Sequence, residues 1–109
     1  MGGEHLGRFE HFLLLAVVRL GDDAYGMTIR RELAEHTGRD IAVGAIYTAL
    51  ARLERRGLVQ SWLGQPTAER GGKAKRHYRV MAAGKKALAK ADAALTGLSQ
   101  DLGRAPKRS

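Results

Sequence analysis

Apolar residues recur every three or four positions through the first half of the chain. Leu6, Phe9, Leu13, Ala16, Val17 and Leu20 fall on one face of an amphipathic helix, which Gly21 closes just past its end. Asp22 and Asp23 follow, and either carboxylate is suited to cap the next helix. That second helix is predicted from about Ala24 to Thr37, with Met27, Ile29 and Leu33 inward and Gly38 as its left-handed stop. Gly26 lies inside it at a cost in helix propensity, which predicts close approach of a neighbouring helix. A third helix, about Val43 to Arg56, has an inward stripe of Ile46, Leu50 and Leu53 and ends at Gly57.

The period then changes to two. In "LVQSWLG" Leu58, Gln60 and Trp62 alternate with Val59, Ser61 and Leu63, the pattern of a strand. "QPTAERGGKAKR" is a loop and "HYRVM" the returning strand, so the two form a hairpin. From Ala82 the helical period resumes: Leu88, Ala91, Leu95, Leu98 and Leu102 keep an unbroken three-four spacing, the seam of a short coiled coil. The order predicts a mainly α protein with a small two-stranded β hairpin, in the α+β sense: a winged helix-turn-helix. The expected divisions are 1–81 as the winged unit, 82–102 as a dimerisation helix and 103–109 as a flexible basic tail.

Composition narrows the functional classes. At 109 residues, 44% hydrophobic and 28% charged, the chain fits one small globular domain for which pairing with a second copy is a natural way to bury more surface. No apolar run approaches the roughly 20 residues of a membrane span, and the N-terminus lacks the pattern of a signal peptide. With no cysteine there is no disulfide framework or thiolate metal site, and a cytoplasmic location is the expectation. The net charge of +8 is lopsided: Met1 to Ala51 carries 5 basic and 7 acidic residues, and Arg52 onward carries 14 basic and 4 acidic. A basic second half points to an anionic partner, either nucleic acid or an anionic membrane surface.

Enzyme chemistry finds no support. "GGKAK" invites a phosphate-loop reading, but Thr67 stands where the first glycine belongs, Ala74 replaces the hydroxyl residue and a strand follows instead of a helix. His5, His11, His36 and His77 are scattered and form no i, i+4 or His-x-His ligand pair, so no metal and no cofactor is expected. Ser61 and Ser99 have no His/Asp setting for a nucleophile.

The third helix is different. Its outer face presents Gly44, Ala45, Thr48, Ala49 and Arg52, then Arg55 and Arg56 near the end. A plain solvated face normally uses Glu, Lys and Gln. Small residues with one hydroxyl suit deep entry into a DNA major groove, where Thr48 reaches a base edge or phosphate and Arg52 a phosphate or guanine. Tyr47 flanks the inward stripe, and its position alone leaves core and phosphate-contacting roles open. In the hairpin loop Arg70, Lys73, Lys75 and Arg76 surround Gly71-Gly72. The choice is between a solvated loop and a wing laid along a phosphate backbone, and the helix upstream favours the wing. Leu88, Ala91, Leu95, Leu98 and Leu102 form a seam that packs on its own core or pairs across a two-fold axis. On a helix of roughly 31 Å the last three outreach so small a core, which favours a homodimer. A membrane-surface role is weaker, because the apolar face is narrow and lacks aromatics.

"FEHFLLLAVVRLGDDAYGMTIRREL", "VGAIYTALARLERRGLV" and "ERGGKAKRHYRVMAAGKKAL" together resemble the PadR family of bacterial transcriptional regulators, named for repressors of phenolic acid decarboxylase genes. The motifs that carry the resemblance are Tyr25-Gly26, the run from Gly44 through Tyr47, Leu50, Arg52, Leu53, Glu54 and Gly57 to Leu58, and the stretch from Tyr78 to Gly84. The resemblance implies a winged-helix dimer on operator DNA, usually repressing, in some members released by a small hydrophobic effector, and without enzyme activity. It further implies that Tyr47 contacts phosphate and that the segment from Arg70 to Arg76 supplies the wing contacts. Two positions depart from the pattern. Ala42 holds the place where a serine commonly begins the reading helix, leaving Asp40 as the candidate cap. The C-terminal portion is short and allows a single dimerisation helix. The expected function is a homodimeric regulator of double-stranded DNA, with a protein-interaction or RNA-binding winged helix as the alternative.

Overall fold

The computed structural model describes residues 6–65, 74–100 and 102. Helices α1 (Arg8–Leu20), α2 (Gly26–Thr37) and α3 (Val43–Arg55) precede strands β1 (Val59–Leu63) and β2 (Arg76–Val80), and α4 (Ala82–Ser99) closes the order. The strands pair antiparallel, Val59 opposite Val80 through Leu63 opposite Arg76. Three helices under a two-stranded hairpin, followed by a helix that leaves the body, make a winged helix-turn-helix of mainly α class.

One apolar core joins the elements. Leu13, Leu14 and Val17 of α1, Ile29 and Leu33 of α2, and Ile46, Ala49, Leu50 and Leu53 of α3 are buried together. Leu58, Val59, Tyr78 and Val80 seal it from the hairpin side, and Leu88 from α4. The spacing along α1 works as its sequence suggests, and Leu6, Phe9 and Leu20 pack at the core's edge. Gly21 and Gly38 take positive φ values of 58° and 72°, which glycine adopts without a Cβ penalty, and Gly38 is the left-handed stop of α2.

Four local expectations are corrected. Asp22 and Asp23 do not cap α2; they lie in a 3-10 turn, Gly21–Asp23, and the helix starts at Gly26. The Thr28 hydroxyl organises that start, accepting the Tyr25 N–H at 3.0 Å and donating to the Asp23 carbonyl. Met27 is exposed, because two positions along a helix turn about 200° and Met27 cannot share a face with Ile29. Ala49 is buried, since it sits three residues after Ile46 and four before Leu53, within the inward stripe. Asp40 does not cap α3; it accepts a hydrogen bond from Arg30 Nε at 2.9 Å, and Ala42 opens the helix with no side-chain cap.

Gly26 fulfils its expectation. A Cβ there would lie 2.6 Å from Cζ of Tyr47, so the glycine lets α3 press its tyrosine onto α2. The hairpin gains one partner the sequence did not signal. Tyr25 forms an isolated antiparallel bridge with His77, and the Tyr78 N–H donates to the Ala24 carbonyl at 2.9 Å. The turn between α1 and α2 is thereby tied to the outer edge of β2.

Candidate nucleic-acid interface

The outer surface of α3 is built by subtraction. Ile46, Ala49, Leu50 and Leu53 turn inward, which leaves Gly44, Ala45, Thr48 and Arg52 exposed on the opposite side. Gly44 has open space around the position of a Cβ. The first two turns are therefore slim, and Arg52 stands one turn beyond Thr48. Arg55 is exposed further along. Arg56 is diverted from this surface: its Nη1 reaches Glu10 of α1 at 3.2 Å, at the buried edge of the domain.

Tyr47 is neither fully in the core nor fully clear of it. Its ring abuts Gly26, yet the residue remains 41% exposed. Such a phenol is fixed by packing while its surface is open to a partner. Tyr78, buried on β2, lies in the same neighbourhood. Burial holds its hydroxyl pKa above the ordinary tyrosine value, assisted by Tyr47 and Glu54 and opposed by Arg76.

At the base of the wing Lys75 and Arg76 are exposed, whereas Arg70 and Lys73 lie outside the described residues. Lys75 Nζ sits 4.7 Å from the centre of the Tyr25 ring, a cation–π contact. Arg76 Nη1 donates to Ser61 Oγ at 3.1 Å, and Ser61 Oγ donates to the Glu54 carboxylate at 3.0 Å. On the other face of the hairpin Trp62 stacks on His77 at 5.7 Å, with Tyr25 edge-on to the same imidazole at 5.4 Å. Arg79 lies 5.3 Å from the Trp62 ring. Reading along the sequence finds the cations but not this aromatic packing, because Tyr25 and His77 meet only through the long-range bridge.

The seam of α4 divides. Leu88 is in the core of its own chain, Ala91 is half-buried, and Leu95, Leu98 and Leu102 are 60%, 86% and 77% exposed. The helix ends at Ser99, so Leu102 lies beyond its last turn. Where the two halves meet, His11 Nε2 of α1 and Asp92 Oδ1 are 2.8 Å apart.

A cleft of about 480 Å³ lies between α1 and α2. Phe12, Leu15 and Ala16 line it with Arg8, Arg19 and Arg39. Beside it, donor atoms of Glu32, Glu35 and His36 lie within 4.8 Å of one another, a grouping missed by a search for histidine pairs. Arg19 bonds Glu32 there at 2.5 Å and, together with His36, holds its carboxyl below the usual range. A cation would have to compete with that guanidinium. No helix among the described residues is long and apolar enough to cross a membrane.

The slim exposed helix face beside a basic hairpin defines a winged-helix protein of the DNA-binding class. The Transcriptional regulator PadR-like family matches residues 14–90, and the chain belongs to that family. It is accordingly a DNA-binding transcriptional regulator, and the family is one of regulators and not of enzymes. No curated protein matches the chain. Among solved structures, it is similar to a PadR family regulator from Clostridium difficile, with 23% identity, a TM-score of 0.67, and coverage of 85% of this chain and 95% of that one. A transcriptional regulator from Thermoplasma acidophilum aligns over 92% of this chain and all of its own, at 23% identity and a TM-score of 0.62. A PadR family regulator from Eggerthella lenta shares 28% identity over 82% of this chain and 78% of its own, with a TM-score of 0.60.

Proposed function

We propose that the protein is a homodimeric, cytoplasmic repressor that binds a near-palindromic operator. The third helix enters the major groove with Gly44, Ala45 and Thr48 against base edges, while Arg52 and Tyr47 bind the flanking phosphates. The wing, with Lys75 and Arg76 at its base and Arg70 and Lys73 in its loop, lies along the backbone. The observation that carries this reading is the exposed face of α3, small at its start and basic one turn on, in a chain of a DNA-binding family.

Leu95 and Leu98 are exposed on the part of α4 that no core covers, Leu102 is exposed just past its end, and pairing of two copies through them would bury all three. Residues 1–81 then serve as the reading unit and 82–102 as the dimerisation element. Two reading helices would stand one DNA turn apart, roughly 34–36 Å, on the two half-sites. A small hydrophobic effector has a place to bind in the cleft floored by Phe12, Leu15 and Ala16.

The decisive experiment is footprinting on the promoter of the chain's own operon, followed by titration of variants. Arg52→Ala and Tyr47→Phe should each lose about 1–3 kcal/mol of operator affinity, as is usual for a lost base or phosphate contact, with an unchanged unfolding midpoint. Operator affinity equal to wild type in both would sink the reading face. Binding without sequence preference, or preference for single strands, would favour the interaction-module or RNA-binding alternative.

A further inference from the structure

A carboxylate on the DNA side of a reading helix is unfavourable on charge alone, since it repels phosphate. Glu54 is such a group: it is exposed and lies seven residues, two helical turns, after Tyr47, on the flank of α3 that carries this proposed phosphate contact. Its surroundings give it a use. Both carboxylate oxygens are within reach of the Ser61 hydroxyl of β1, at 3.1 and 3.0 Å. A hydroxyl has one proton, and here it is directed at Glu54, which leaves its lone pairs to accept. Arg76 Nη1 donates to that oxygen at 3.1 Å. Ser61 is also directly opposite Tyr78 in the strand register, which sets this chain of bonds on the face of the hairpin that turns toward α3.

The contact between acid and arginine is indirect. Among the described residues no ion pair joins Glu54 to Arg76, so the guanidinium is not neutralised in a closed salt bridge. One of its five N–H groups is bound to Ser61 and the fork remains open on its exposed side. An arginine at the root of a long basic loop would otherwise lose rotamer entropy on meeting a phosphate; one already fixed loses less.

We propose that Glu54 is a positioning residue for DNA binding: through the Ser61 hydroxyl it fixes Arg76 between the reading helix and the wing, so that this acid strengthens the grip on a polyanion. The inference rests on the proposed reading of Arg76 as a phosphate contact. It makes the α3–wing junction one binding unit, in which a cation at the base of the wing is set from the helix that reads the bases.

The test uses the full chain and a fluorescently labelled DNA duplex of mixed sequence, with affinity measured across a range of salt concentrations. Arg76→Ala should weaken binding about 3- to 10-fold and lower the salt slope by about one unit. Glu54→Ala and Ser61→Ala should weaken it in the same direction, and Glu54→Ala added to Arg76→Ala should cost nothing more. Glu54→Gln keeps an acceptor for the Ser61 proton while removing the charge, and should bind at least as well as wild type. A charge-only account predicts that Glu54→Ala and Glu54→Gln both tighten binding; that result overturns the proposal, as does an Arg76→Ala variant that binds like wild type. Thermal unfolding of each variant separates lost positioning from lost fold. If the wild-type chain shows no salt-dependent binding to the duplex, the phosphate reading itself fails and this inference with it. If it does, and only the Glu54 pattern fails, the phosphate reading survives.

Discussion

Helix α4 carries one apolar stripe that meets two surroundings. In its first two turns Gly84, Ala87 and Leu88 are buried against the hairpin and α1. A little further along the same stripe, Leu95 and Leu98 are open to solvent, and Leu102 continues them past the helix end. The three-four spacing does not change between the halves. What changes is whether the chain's own body extends beneath them, and His11 with Asp92 marks where it stops. Hydrophobic period thus states that a face will be covered, but not by which molecule. The proximal half belongs to folding, and the distal half is where the proposed assembly must act.

The comparison breaks most readily at Leu88. Leu88→Ala removes a side chain that is 6% exposed within the core, and a loss of about 2–5 kcal/mol of folding stability is expected. Denaturant unfolding checks this, and the midpoint should fall without a change in the stoichiometry of the folded protein. A change in association with little loss of stability would instead assign Leu88 to the seam between copies.

Gly84 sharpens the same boundary with a smaller effect and an unexpected sign. Alanine is the better helix former by roughly 1 kcal/mol, so on propensity Gly84→Ala should stabilise the protein. A Cβ at this position, however, would collide with the Leu58 carbonyl and lie 2.6 Å from Cγ1 of Val80. The Leu58 oxygen also accepts the Met81 N–H at 2.8 Å, so it is held in place and cannot retreat freely. Gly84→Ala should therefore cost about 1–3 kcal/mol, the range for overpacking, as read from thermal unfolding. Gly97, on the distal half of α4, has open space where a Cβ would go, and there the same change should follow propensity and stabilise.

Much of this was legible along the chain because it is local. The three-four spacing of Leu13, Val17, Ile46, Leu50 and Leu53 and the stops at Gly21, Gly38 and Gly57 are properties of neighbouring residues, and they place three helices and their core. Failures arose where distant segments decide. The start of α2 is set by a threonine hydroxyl and a strand bridge to His77, not by the aspartates that precede it. Met27 shows that even a local reading fails if the turn per residue is not counted. At the candidate interface, the exposed face of Gly44, Ala45, Thr48 and Arg52 followed from the helical period. The link from Glu54 through Ser61 to Arg76 did not, since it joins a helix and two strands across 22 positions (54 to 76) with no shared motif.

The distal half of α4 gives the smallest expected effect on the fold and the sharpest on assembly. Leu95 is 60% exposed in the single chain, so Leu95→Asp removes little packing from the protomer, and the helical content of the domain should be retained. If two copies meet through Leu95, Leu98 and Leu102, the same change places a carboxylate in an apolar interface without a partner, a penalty large enough to separate the subunits. Analytical ultracentrifugation should then find a wild-type dimer and a Leu95→Asp monomer. Thermal unfolding adds an independent readout, because the unfolding midpoint of a dimer rises with protein concentration, whereas that of a monomer does not. The wild-type midpoint should depend on concentration and that of Leu95→Asp should not. A Leu95→Asp dimer with a concentration-dependent midpoint would move the interface elsewhere, and the contrast between the two halves of α4 would then describe only where the protomer's core ends.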